Sequence, residues 1–261
     1  MTWSRVRQLL RPVLGLALFL LLWQLATLGN KATDVPPPYL TFRGLAELLR
    51  QGILLRNVVA SVFRVLWGFS LAALVGIPVG IALGRHRILN ELFNPPVQVL
   101  RPISPIAWLP IATLLFGAVR WFDPSDLAAI FLIFLSSFFS ITTSTAAAVA
   151  SVEQKYVRSA LNLGVQGLAL IRRVIFPAAL PQILTGLRIA LGISWVVVVA
   201  AEMLGVSSGL GYQVNDARNN LRYDLVVAAM VVIGLIGLGL DIVMRTIERA
   251  ELARRGMIAR P

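Results

Sequence analysis

The chain has 261 residues, 57% of them hydrophobic and only 14% charged, against roughly 25% charged in soluble domains, which excludes a soluble enzyme or scaffold. Its formal net charge of +12 is scattered along the sequence rather than gathered on one soluble face, so it speaks to membrane topology and not to nucleic acid. No cysteine is present, which excludes disulfides, thiol catalysis and cysteine-held metals.

Nearly charge-free runs cover 12–30, 65–84, 102–119, 127–152, 180–206 (broken by Arg188 and Glu202) and 225–240. Most approach the ~20 residues that cross a hydrocarbon core of ~30 Å. The chain therefore reads as all-α and polytopic, with about six transmembrane helices in a single domain over 1–261. Arg5, Arg7 and Arg11 precede the first run, but no small-residue cleavage signature follows it, so a retained span is expected rather than a signal peptide.

After this span, Val35 to Pro38 form a stiff connector, and Thr41 is expected to cap an amphipathic helix over about 41–57 with Leu45, Leu48, Leu49 and Ile53 on one face. That helix either lies flat on the outer interface or extends the second span. The second span carries Gly68, Gly76, Gly80 and Gly84, a strip of bare backbone that lets another helix approach, with a bend expected at Pro78.

Arg85, His86 and Arg87 make the inner turn, and RPISPIAWLP follows at 101–110. Pro102, Pro105 and Pro110 cannot all sit in one regular helix, and irregular backbone survives in a membrane only beside protein or a water-filled cavity. This puts Ser104 and Trp108 forward as pathway-lining residues, with a kinked packing helix as the alternative. The fourth span holds Ser136, Ser137, Ser140, Thr142, Thr143, Ser144 and Thr145, which serve either helix packing or a polar pathway.

Ionisable groups within spans are costly and mark functional candidates. Arg188 is expected to snorkel to the inner interface, and Asp241 to pair with Arg245 one turn on. Glu202 lies ~21 Å beyond Arg188 along a helix, near the outer face. It is expected to gate or orient rather than bind and, if the cargo is an anion, to pair with a basic residue or a backbone donor from a neighbour. With the amino terminus inside, the inner segments hold fourteen arginines and lysines and the outer segments eight, Arg64 counted among the outer ones. That balance favours cytoplasmic termini.

Between two spans lies RSALNLGVQGLALIRRVIFPAALP at 158–181. Arg158, Ser159 and Ala160 are followed by Gly164, then by Val174, Phe176 and Pro177, a short helix that turns at a residue without a side chain. This resembles the coupling loop of binding-protein-dependent ABC transporter permeases, in which Glu-Ala-Ala, three residues, Gly, nine residues, Ile, one residue, Leu and Pro recur. The chain departs from it in Arg158, where the family often has Glu.

RPISPIAWLPIATLLFG at 101–117, FPAALPQILTGLRIALGISW at 176–195 and AAEMLGVSSGLGYQVNDAR at 200–218 extend the likeness to the permeases of nitrate, sulfonate, taurine and bicarbonate importers, over about 40–249. The resemblance implies a type I ABC importer permease, working by alternating access at the bacterial inner membrane. Implied partners are a second permease copy, identical in a homodimer, two ABC ATP-binding subunits, a periplasmic or lipid-anchored solute-binding protein, and membrane lipid. Arg158, Ser159, Ala160, Leu163, Gly164, Val174, Phe176 and Pro177 would form the ATPase-coupling surface, and Ser104, Trp108, Trp195 and Glu202 the translocation pathway.

The chain has no phosphate loop, since neither Lys31 nor Lys155 follows a glycine, and its one histidine, His86, makes no metal or acid–base constellation. No catalytic residue and no metal are expected here, with ATP and magnesium bound by the partner. The alternatives are an ABC permease for a vitamin precursor such as a thiamine pyrimidine or riboflavin, and an ion-coupled secondary transporter, for which a second broken span would be needed.

Overall fold

The computed structural model describes residues 3–27 and 35–256, with side chains from residue 14 onward. Every regular element among them is helical. Helix α1 spans Trp3–Ala26, α2 Pro38–Arg50, α3 Ile53–Arg85, α4 Arg87–Leu100, α5 Leu109–Phe116, α6 Pro124–Ala150, α7 Gln154–Asn162, α8 Gly167–Leu170, α9 Phe176–Gly205, α10 Leu210–Asn219 and α11 Tyr223–Arg254. Four helices are long and apolar enough to cross a membrane: α3, α6, the continuous 167–205 helix formed by α8 and α9, and α11. The pair α4 and 105–116, bent by 89°, makes a fifth crossing if the two are taken as one span.

The first expected span falls on α1, whose side chains are described over Leu14–Ala26, an apolar stretch shorter than those four, while 28–30 lie outside the described residues. The third is broken as the prolines require. After α4, the turn at 101–104 leads into a 3-10 turn, Pro105–Trp108, before α5 resumes. Pro95 and Pro96 lie inside α4 itself.

Two boundaries differ from the sequence reading. Helix α2 begins at Pro38, placed at its first position where a missing N–H is harmless, and ends before Gly52, whose φ of +70° breaks the chain. Ile53 and Asn57 therefore belong to the spanning α3 and not to an interfacial helix over 41–57. Thr41 does not cap α2. It sits a turn inside, its hydroxyl donating to the Pro37 carbonyl at 3.4 Å.

The centre of the bundle is the pairing of α3 with α6 and of α6 with α9. The glycine strip makes the first contact: a Cβ at Gly68 would come within 2.7 Å of Ile133, one at Gly80 within 2.6 Å of Thr145, and one at Gly84 within 2.6 Å of the Ala146 carbonyl. Only bare backbone fits there. Gly186 on α9 meets Ser144 in the same way, at 2.6 Å.

Helix α6 is started by Asp123, whose Oδ1 accepts from the Ser125 backbone N–H at 2.9 Å, with Pro124 at the first helical position. Hydrogen bonding from Ser125 holds the Asp123 carboxyl below its ordinary pKa. The outer faces of α1, α3 and α11 carry exposed Leu, Ile, Val and Phe, as a lipid-facing surface requires.

Candidate functional site

The loop between α6 and α9 is a protruding hairpin anchored by its own apolar side. Val157 and Ala160 of α7 are buried in a cluster with Ala148, Leu170, Ile175 and Ile183. Helix α7 ends because Gly164 adopts φ +78°. Its N–H donates to the Leu161 carbonyl at 3.0 Å and that of Val165 to Ala160 at 3.0 Å, which closes a Schellman motif. A wide π turn, Ile171–Ile175, then joins α8 to α9 just ahead of Pro177, whose ring could not follow a regular turn. The chain does not restart at Pro177, as a proline that ends the loop would imply. It runs as one helix from Gly167 to Gly205.

Seven of the eight residues expected to form the coupling surface divide into two sets, and the eighth, Pro177, lies half-buried within the continuous helix. Arg158, Ser159, Leu163 and Gly164 point outward, Leu163 being 82% exposed. Ala160 is buried, and Val174 and Phe176 pack on the internal cluster, so these three face the interior of the hairpin. Tyr156 and Leu168, which the motif did not single out, are 52% and 60% exposed, and Leu168 lines a cleft with Ile81 and Arg85 at the end of α3. A Cβ on Gly164 would meet nothing within 4 Å, so the space beside this turn is open.

At the opposite end of the bundle, Glu202 is fully buried and ion-paired. Its Oε1 accepts from Arg64 Nη1 at 2.6 Å, and its Oε2 from Ser61 Oγ and the Gly211 N–H, both at 2.9 Å. Arg64 also donates to Asp126 Oδ1 through Nε at 2.8 Å and Nη2 at 2.6 Å, to the Ser208 carbonyl at 3.0 Å, and to the Ser208 hydroxyl. Ser61 Oγ accepts from the Leu210 N–H at 2.9 Å, and Asn57 joins the Gly209 N–H to Gln213. The segment 200–218 is thus a turn tied to α3 through its backbone and its acid. Gly209, at φ +104°, and Gly211 are needed because a Cβ at either would overlap the Glu202 side chain or the Val199 carbonyl.

Glu202 has the basic and backbone partners expected of it. Arg64 is not an outer surface charge, as the sequence count had it, but part of the interior. Asn57, Ser61, Arg64 and Asp126 were missed. Their signal is spacing: Asn57, Ser61, Arg64, Gly68, Ala72, Gly76 and Gly80 form one buried stripe of α3.

The other pathway candidates separate. Trp108 lines a cavity of about 180 Å³ with Arg101, Ser136 and Ser140, whereas Ser104 is exposed on the neighbouring turn and does not line it. Trp195 is buried against α11, its Nε1 donating to the Ile233 carbonyl at 3.0 Å. Neither Trp195 nor Glu202 borders that cavity. Arg188 pairs with Glu248 at 3.3 Å, and Asp241 with Arg245 at 2.8 Å.

Residues 76–251 match the family described as the binding-protein-dependent transport system inner membrane component. The chain belongs to this family. The permease is 34% identical over 254 residues to the taurine transport system permease protein TauC of Escherichia coli, covering 95% of this chain and 90% of TauC. It is 37% identical to the bicarbonate transport system permease protein CmpB of Synechococcus elongatus, covering 92% and 88%. A putative ABC transporter permease of Methanocaldococcus jannaschii is 42% identical over 212 residues, 81% of this chain and 77% of that one.

Solved structures share the fold. The MetNI methionine ABC transporter in an inward-facing conformation superposes with a TM-score of 0.65 at 17% identity, covering 74% of this permease and 94% of that chain. A bacterial alginate ABC transporter superposes at 0.63 and 16%, covering 98% and 95%. The protein is an inner-membrane ABC importer permease of the type I fold.

Proposed function

We propose that this permease moves a small anion, such as nitrate, bicarbonate, taurine or an aliphatic sulfonate, inward by alternating access driven by ATP. The observation that carries the proposal is the hairpin: Tyr156 and Leu163 expose apolar surface outside the spanning helices, on a scaffold held by Val157 and Ala160. Such a patch marks an interaction site. Its occupants are two ATP-binding subunits, which hold the ATP and magnesium and carry out hydrolysis, while this chain performs no catalysis.

A second copy of the permease completes the pathway, and a periplasmic or lipid-anchored binding protein delivers the anion from outside. Both termini then lie in the cytoplasm with the hairpin. Closure of the ATPase dimer draws the hairpins together and biases the two permeases toward the outward-open packing, and hydrolysis releases that bias. Support for the substrate class comes from relatives named for taurine, bicarbonate and nitrate transport.

The test is ATP hydrolysis by the permease, its ATPase and its binding protein in proteoliposomes, with nitrate, bicarbonate, taurine and an alkanesulfonate in turn. Stimulation by one of them supports the proposal. A complex that assembles yet responds to none would contradict the anion assignment and direct attention to vitamin precursors.

A further inference from the structure

The hydroxyl groups of α6 divide between packing and open space. Ser137 bonds Ser194 at 2.6 Å, Thr142 reaches the Gly76 carbonyl at 3.4 Å, and Ser144 and Thr145 meet Gly186 and Gly80. These serve helix contacts. Ser136, Ser140, Thr143, Ala147 and Ala150 recur at helical spacing on another face, and that face lines two cavities. The larger is about 420 Å³, between α6, the end of α3 and α4, and the smaller is the one beside Trp108. From Ser136 to Ala150 the two occupy ~21 Å of helix, about two thirds of a hydrocarbon core.

The facing wall is a stripe of α4 and its end, Asn90, Asn94, Val97 and Arg101. No carboxylate lines either cavity, whereas Arg85, Arg87 and Arg101 do. Arg87 is paired with Glu91, but Arg85 and Arg101 enter no ion pair among the described residues. The side chains of Asn90, Asn94 and Ser140 make no hydrogen bond there either, so their donors are free, unlike that of Thr143, which is spent on Phe139 at 2.8 Å. The cleft near α2 and α10 differs in kind, since Glu47 and Asp216 offset Arg56 and Arg222 around its roughly 500 Å³.

We infer that the α4–α6 track is the anion route through this permease, with Arg101 as its selectivity charge and Asn94 and Ser140 as neutral donors along the way. Amide and hydroxyl donors replace part of an anion's hydration, and an unpaired guanidinium between low-dielectric walls raises the local anion concentration. Arg85 supplies a second positive charge at the other end, so the ion leaves one attraction for another without meeting a carboxylate. The inference rests on the anion-import proposal and deepens it.

The absence of cysteine in the chain allows a direct test. In the full complex in proteoliposomes, Ser140→Cys and Asn94→Cys are treated with the anionic sulfonatoethyl and the cationic trimethylammonioethyl methanethiosulfonates, and the mass of this chain is followed. Leu74→Cys, on the exposed apolar face of α3, is the control. The anionic reagent is expected to react about tenfold faster at both track positions, Leu74→Cys to stay unmodified, and Arg101→Gln to reduce the preference several-fold. Equal rates, a cationic preference, or no reaction in a complex that still takes up anion overturns the inference.

If a cysteine variant does not assemble, the initial uptake rate at low anion concentration decides instead. Arg101→Gln is expected to lower it about tenfold and Arg101→Lys to restore it in part, and unchanged uptake by Arg101→Gln overturns the route. The two proposals fail separately. Anion-stimulated ATP hydrolysis with indifferent labelling removes the track alone, while anion-selective labelling without stimulation by any of the four anions removes the substrate assignment alone.

Discussion

Arg64 on α3 and Glu202 on α9, 138 residues apart in sequence, meet at 2.6 Å with both side chains closed off from solvent. The pair closes the end of the bundle opposite the hairpin: Arg64 reaches α6 through Asp126 and the α9–α10 turn through Ser208, while Glu202 holds Gly211. Desolvating two charges is costly, but here nearly every lone pair and proton has a partner.

Removing one member should therefore cost more than the pair contributes. Arg64→Leu leaves Glu202 buried without a cation and should destabilise the permease by about 3–5 kcal/mol. Asp126→Asn, at a carboxylate 37% exposed, should cost about 1 kcal/mol or less. Thermal unfolding in detergent measures both, and equal losses would contradict the arrangement.

The hairpin should show opposite responses on its two sides. Leu163→Asp changes an exposed residue and should leave the melting temperature within about 2 °C of wild type while abolishing co-purification of the ATPase. Val157→Asp buries a carboxylate in the anchoring cluster and should lower the melting temperature steeply. Size-exclusion profiles and ATPase pull-down separate the two outcomes.

The glycines should also differ. Gly164 pays only for its left-handed backbone, so Gly164→Ala should cost about 1–2 kcal/mol. Gly211 has no room for a Cβ beside Val199, so Gly211→Ala should prevent folding or shift α10. Recovery of monodisperse protein for Gly164→Ala and its loss for Gly211→Ala is the expected pattern.

Glu47 on α2 accepts from Arg222 at 2.8 Å, and chiefly this hydrogen bond holds its carboxyl below the ordinary value. A depressed folded pKa adds stability above the unfolded pKa, and that contribution is lost as pH falls through the folded one. The melting temperature of the wild type should accordingly exceed that of Glu47→Gln at about pH 7 and converge with it at about pH 3. A constant difference across that range would deny the carboxylate this role.

Much of this was legible in the sequence because it depends on backbone. The glycine strip of α3, the broken third crossing and the turn at Gly164 each follow from a residue that permits or forbids a conformation. The network around Glu202 was only half legible. A charge-free criterion started the second span at Val65 and put Arg64 outside, although the glycine spacing, continued backward, leads through Arg64 and Ser61 to Asn57. The hydroxyls of α6 could not be sorted, since all lie on one helix and only the positions of α3, α4 and α9 decide which face packs and which lines a cavity.

ATP at the hairpin is proposed to drive uptake through this chain. The most direct measurement is anion accumulation in proteoliposomes, with ATP supplied on the hairpin side, for the wild type and for Gly164→Trp, whose bulk would enter the open space beside the turn, the proposed docking place of the ATPase. ATP-dependent accumulation is expected of the wild type and none of Gly164→Trp, with equal membrane insertion of both. Accumulation driven by an ion gradient without ATP, or undiminished uptake by Gly164→Trp, would contradict it.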